Sequence, residues 1–283
     1  MSQPNTYSPL RYPGGKAIIA KYLRKIIKLN AIDQCHYYEL YAGGAGAALD
    51  LLFSGDVDRI ILNDADKHIY FFWDVVLNQS KQLIKKIRNC DLTIDEWHKQ
   101  RKIYDTYQEY SPLDIGFSTF FLNRCNRSGI LSKAGPIGGF KQNGNYKLDA
   151  RFNKEGLIKR IQLIVERKDA IEIHNDDTLD FIDKHQKALG EKSTFMYLDP
   201  PYYKKGKSLY LNYYTHKDHE ALRDLLMEYR NVNWLVSYDY ADEIRQLYKE
   251  FTTREFELNY SLQNKRKASE LFIYSDKIEI PAQ

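Results

Sequence analysis

An apolar run of strand length, Thr194-Phe195-Met196-Tyr197-Leu198, stops abruptly in Asp199-Pro200-Pro201-Tyr202. Proline has no N–H to give a sheet ladder, so two in succession end a strand. The residue before a proline is held extended, which pins Asp199 at the strand's carboxyl end. In open α/β sheets, ligands lie in the crevice beyond those ends. The stretch therefore sets a carboxylate, the Pro200 carbonyl and the Tyr202 ring at a crevice. Such a trio suits an exocyclic amine on a nucleobase, whose lone pair is delocalised into the ring and attacks poorly. Two acceptors that each take one N–H would localise that pair and stabilise charge growing on nitrogen, while an aromatic face holds the base by stacking. Read alone, the four residues are equally compatible with a strand and a plain turn.

The chain has 283 residues, room for one large domain or a core with an insert. Its net charge of +4 is too small to define a partner, so the placement of charge matters more than its sum. Cys35, Cys90 and Cys125 are odd in number and widely spaced, which argues against a zinc or redox motif and for a reducing, cytoplasmic setting. No apolar run approaches membrane-spanning length.

From the amino end, Arg11-Tyr12-Pro13-Gly14-Gly15-Lys16 reads as a loop that launches a helix, with Ile18, Ile19, Tyr22, Leu23, Ile26 and Ile27 at helical spacing. Lys16 would sit near a helix amino end, where a ligand carboxylate offsets an otherwise unfavourable cation. The loop lacks the spacing and the Ser/Thr of a phosphate loop; a plain turn with a solvated lysine is the other reading. A strand through Glu39 then meets Gly43-Gly44-Ala45-Gly46 and an Ala/Leu-rich helix, a nucleotide-binding βα unit. Asp64 ends the next strand, about twenty residues beyond the glycines, where an acid accepts ribose hydroxyls. A dinucleotide site is disfavoured, because Leu49 stands where a third small residue would pack helix on strand. Glu39, the glycine turn and Asp64 together point to an adenosyl ligand.

Residues 67–110 read as helical, with Trp73, Val76, Leu77, Leu83, Ile87, Trp97, Tyr104 and Tyr107 as core. From Phe121 to Leu148 there is no acid but five basic residues, five glycines and several amides. This predicts a mobile cationic loop whose Arg124, Arg127, Lys133 and Lys141 contact phosphates, while amides such as Asn123, Asn126 and Gln142 read base edges. An ordinary solvated loop is the alternative. A helix from Arg151 to Lys168 returns the chain to a short strand, Ile171–His174, ending in Asp176 and Asp177. Beyond Tyr202 the pattern gives a loop to Tyr214, a helix over 215–230, a buried strand at Asn233–Ser237, a helix over 240–250 and a hairpin with a basic loop, Asn264–Lys267.

The ordered set Arg11–Lys16, Glu39–Gly46, Leu62-Asn63-Asp64, Phe120–Arg124 and Asp199–Tyr202 resembles the Dam-like, D12-class (α-group) DNA adenine N6-methyltransferases, over nearly the whole chain. The resemblance implies an α/β, Rossmann-like methyltransferase sheet with helices on both faces. It places a catalytic domain at 1–66 and 168–283 and a mostly helical target-recognition insert with a basic hairpin loop at 67–167. S-adenosyl-L-methionine would be held by Tyr12, Lys16, Glu39, Gly43, Asp64, Asp177 and Asp199. Tyr12 stands where members often carry Trp. Asp199, Pro200 and Tyr202 would be catalytic, and a protein-glutamine methyltransferase is disfavoured because that family usually has Asn at the place of Asp199. The implied partner is double-stranded DNA, acted on by a monomer, with a cognate restriction endonuclease as a possible companion and no metal.

Overall fold

The computed structural model describes residues 6–11, 16–204, 214–259 and 267–282, without the side chains of 16–18, 257–259 and 267–268. Tyr12, the Lys16 side chain, most of the loop after Lys204, and the basic loop's Asn264–Arg266 with the Lys267 side chain thus lie outside the described residues. In chain order the elements are α1 (Lys16–Leu29), β1 (His36–Glu39), α2 (Gly46–Phe53), β2 (Arg59–Asn63), α3 (Lys67–Asn78), α4 (Ser80–Asn89), α5 (Ile94–Asp105), α6 (Pro112–Cys125), α7 (Lys154–Glu166), β3 (Ile171–His174), β4 (Thr194–Leu198), β5 (Trp234–Asp239), β6 (Thr252–Asn259) and β7 (Lys267–Tyr274). Helices at Thr178–Lys184, Gln186–Leu189, His216–Glu228 and Asp242–Leu247 separate the later strands.

The chain divides into two compact units, one of residues 1–13 and 66–175, the other of 14–65 and 176–283. In the second unit six strands lie in the order β2-β1-β4-β5-β7-β6. β2, β1, β4 and β5 are mutually parallel, and β7 and β6 close the sheet antiparallel. The parallel strands are buried on both faces, which is why they read as near-continuous apolar runs rather than alternating ones. On one face Tyr38, Met196, Leu198, Trp234, Val236 and Ile273 pack under Phe181, Ile182, Leu222, Leu226 and Ile244 of the later helices. On the other, the Tyr22 ring of α1 packs tilted against Phe256 and Phe272, and α2 covers β1. The mixed α/β, Rossmann-like sheet with helices on both faces is thus present. The chain leaves β1 for β2 on one side, and β1's other neighbour is β4. That reversal is the topological switch point, the usual ligand crevice of such sheets.

Among its described residues the first unit carries helices and one strand, β3. Thr93, Ser111 and Asn153 start α5, α6 and α7 as side-chain caps, each accepting a backbone N–H three residues on. Pro112 sits at the first position of α6, where its missing N–H costs nothing. α6 lies against α3 at Gly116, where a Cβ would come within 2.8 Å of the Phe71 carbonyl. α6 is buried nearly all round, from Ile115 through Asn123 and again at Cys125. The expected loop from Phe121 therefore begins only after Cys125; a helix enclosed on all sides has no polar face to announce it.

The three cysteines are free, and burial raises their thiol pKa values, that of Cys35 to about 12. Among the described residues no helix is long and apolar enough to cross a membrane.

Candidate active site

The glycine turn follows β1. Gly43 has φ +47°, a conformation glycine adopts without steric cost. Its N–H donates to Asp64 Oδ2 at 2.8 Å, tying the turn to the acid after β2. Ala45, at the N-cap position of α2, has no side chain that can cap. Glu39 supplies the missing acceptor from β1: its Oε2 accepts the Ala48 N–H at 3.0 Å and the Tyr37 hydroxyl at 3.2 Å. Glu39 is fully buried and braces the turn from within. A carboxylate at a helix amino end is also favoured by the helix dipole.

Asn63 and Asp176 are joined twice, side-chain amide to backbone, at 3.0 and 3.1 Å. This pairing holds the Asp176-Asp177 segment at the end of β2. Asp177 is exposed and caps the helix Thr178–Lys184 through the Leu179 N–H at 2.9 Å. Asp176 pairs with Lys184.

Asp199 follows β4, whose Tyr197 is the register partner of Glu39. The carboxylate and the glycine turn therefore stand at the carboxyl ends of adjacent parallel strands, at the switch point. Asp199 is half-buried; Ser237 Oγ donates to its Oδ1 at 3.0 Å, and Tyr197 Oη lies 2.8 Å from Ser237 Oγ. The Tyr202 hydroxyl donates to Glu270 Oε1 at 2.9 Å, which anchors the tip of its ring. Asp239 accepts the backbone N–H groups of Tyr203 and Lys204 at 2.8 and 3.2 Å. Burial raises the Tyr197 hydroxyl pKa well above its ordinary value, with the Asp199 charge adding to the effect, so it stays protonated. Ser237, Asp239 and Glu270 were invisible to motif reading, since a serine and two acids on strands carry no spacing signal.

In the helical unit, Arg127, Lys133 and Lys141 are exposed, as are Phe140 and Tyr146. Arg124 is half-buried, with Nε donating to the Arg151 carbonyl at 2.7 Å. Burial first, then the nearby Arg11, Arg160 and Arg151, lowers its guanidinium pKa to about 9. Asn123 and Asn126 depart from the expected base-reading role. Both are fully buried. Asn123 bonds the Arg11 backbone at both N–H and C=O and the Gly129 carbonyl. Asn126 accepts the Trp97 indole N–H at 2.7 Å and donates to the Ile130 carbonyl at 2.8 Å. Gln142 is likewise turned inward, bonding Ile137, Gly139 and Leu148 backbone. These amides knit the loop together, where the sequence pattern predicts a mobile one. Among the described residues no cluster of His, Cys, Asp or Glu could hold a metal ion.

No curated protein matches the sequence. Two solved structures of the rRNA methyltransferase aviRa from Streptomyces viridochromogenes align at 9% and 10% identity, each over 98% of this chain and 89% of theirs, with TM-scores of 0.42 and 0.37. The family model of the D12 class N6 adenine-specific DNA methyltransferases matches residues 12–262. With that match covering most of its length, the chain belongs to the D12 class of adenine-specific DNA methyltransferases.

Proposed function

We propose that this methyltransferase transfers a methyl group from S-adenosyl-L-methionine to the exocyclic N6 of an adenine flipped out of duplex DNA. One observation carries the reading: Asp199 and the glycine turn stand side by side at the β1/β4 switch point, with Tyr202 braced next to them. The donor set fits the cofactor. The Asp64 carboxylate, half-exposed beside the Gly43 N–H, suits ribose hydroxyls, and Asp177 lies at the end of the same strand's neighbouring segment. Tyr12 and Lys16 complete the proposed set by the family match alone. When bound, the cofactor supplies an electrophilic sulfonium methyl.

The chain's own residues do the rest. Tyr202 stacks on the extruded base, which costs a few kcal/mol to unstack and unpair. Asp199 and the Pro200 carbonyl each accept one N–H of the amine, which localises its lone pair and offsets the positive charge that develops on nitrogen. Holding the amine in line supplies much of the rate. The exposed Arg127, Lys133 and Lys141 contact phosphates, and Arg124 adds charge from beneath. Monomeric action on double-stranded DNA, with or without a companion nuclease, completes the reading.

Incubation of the purified chain with labelled cofactor and duplex DNA, followed by nucleoside analysis, tests it. The expected product is N6-methyladenine. Asp199→Ala lowers turnover at least ~10²-fold, the loss that follows removal of one preorganised polar partner. Methylation of cytosine N4, or of RNA only, would overturn the substrate assignment; near-normal turnover of the Asp199 variant would overturn the mechanism.

A further inference from the structure

Three polar side chains at the antiparallel end of the sheet grip the catalytic loop at successive points. Ser237 holds the Asp199 carboxylate, Glu270 the Tyr202 hydroxyl, and Asp239 the N–H groups of Tyr203 and Lys204. Ser237 and Asp239 are two apart on β5, and Asp239 is the register partner of Glu270 on β7. All three therefore share one face of the sheet. Like charges directly opposite each other across strands repel. Asp239 and Glu270 are tolerated as partners because each accepts donors from the loop between Tyr202 and Lys204.

The hydroxyl protons have a determined direction. An ionised carboxylate only accepts, so the one proton of Ser237 points to Asp199 Oδ1. The Ser237 oxygen must then accept from Tyr197, at 2.8 Å. Both hydroxyls are buried on the sheet, so their orientation is fixed by packing rather than by solvent. Tyr197 and Ser237 form a two-step donor chain ending on the carboxylate oxygen.

We propose that Ser237, oriented by Tyr197, is the positioning residue that sets the Asp199 carboxylate for methyl transfer, with Asp239 and Glu270 fixing the remainder of the loop. The inference rests on the catalytic role of Asp199 proposed above. Neither Ser237 nor Tyr197 touches the reacting groups; they act by holding one carboxylate oxygen so that the group faces the amine in a single orientation.

Single-turnover methyl transfer, DNA and cofactor affinities and thermal midpoints of the variants provide the test. Ser237→Ala is expected to slow methyl transfer about 10- to 100-fold, the scale of a hydrogen bond to a charged group. Both affinities should stay within about twofold, because uniform binding is not what is lost. Ser237→Thr, which keeps the hydroxyl, should regain most of the rate. Tyr197→Phe keeps the packing and should slow the step by a smaller factor, which gives a readout should Ser237→Ala not fold. In an Asp199→Asn background, Ser237→Ala should add little, since its partner is already altered. A Ser237→Ala rate equal to wild type, a Thr variant no better than Ala, or a full multiplicative loss in the Asp199→Asn background would overturn the inference. Absence of methyl transfer by the wild-type chain would instead refute the functional reading beneath it.

Discussion

At the scale of single residues, the same side-chain chemistry serves opposite ends in this protein. Asn126 has the donor and acceptor of a base-reading amide, yet it holds the Trp97 indole N–H and the Ile130 carbonyl inside the helical unit. Asn126→Ala leaves both groups buried without that partner, and each such loss costs about 1–3 kcal/mol. The expected outcome is a lower denaturant midpoint with the slope unchanged; an unaltered midpoint would show that the loop repacks. Glu39 is a parallel case. It lies where a ligand-binding acid is expected, and it caps α2 because Ala45 has nothing to cap with. Neither role is legible from the residue type. Burial decides it, and burial depends on what packs from elsewhere in the chain.

At the scale of elements, the cationic segment after α6 is narrower and better tied than its composition implies. It begins after Cys125, and the Asn126–Pro136 bridge and Gln142 hold it at two levels. Asn126 and Gln142 face inward, while Asn143, Asn145 and the cations Arg127, Lys133 and Lys141 are exposed. On the proposed reading, the loop's phosphate contacts come from the exposed Arg127, Lys133 and Lys141. Arg127→Ala and Lys141→Ala are each expected to weaken DNA binding evenly across sequences. Each should also lower the slope of log K against log salt by ~0.9, the value of one phosphate left unneutralised. Equal slopes in wild type and both variants, measured by titration at several salt concentrations, would remove the loop from the interface. The same scale explains the loop from Asp199 to Lys204. Two prolines end β4, but β5 and β7 decide where Asp199 and Tyr202 point.

At the scale of the whole molecule, folding keeps one histidine neutral. His219 is fully buried, with Nδ1 3.0 Å from the Tyr238 hydroxyl and the rings of Tyr203, Tyr214 and Tyr238 around it. The groups that face it include the neighbouring Asp218 and His216. Burial lowers its pKa to about 4, Asp218 opposing and His216 assisting. An unfolded histidine takes up its proton near pH ~6.5, so between that pH and about 4 the unfolded chain binds more protons than the native one. Stability contributed by this site is therefore present above pH ~6.5 and declines as pH falls through that window. His219→Gln should flatten that decline in a series of unfolding midpoints against pH; an identical pH dependence in the variant would place the titrating group elsewhere.

The amino-acid sequence alone determined the order of strands and helices, the abrupt stop at Asp199-Pro200-Pro201-Tyr202, the glycine turn and the acid after β2. These are local matters: a missing N–H, an unbroken run of apolar residues, a φ that only small residues take easily. Tertiary structure decided which polar groups face inward. It buried Asn123, Asn126 and Glu39, it carried α6 through to Cys125, and it brought Ser237, Asp239 and Glu270 onto the loop from Asp199 to Lys204 from strands 35 or more residues away in sequence. Such pairings join residues that no local pattern links, and their cost and benefit depend on desolvation, which exists only once the sheet and its covering helices have assembled.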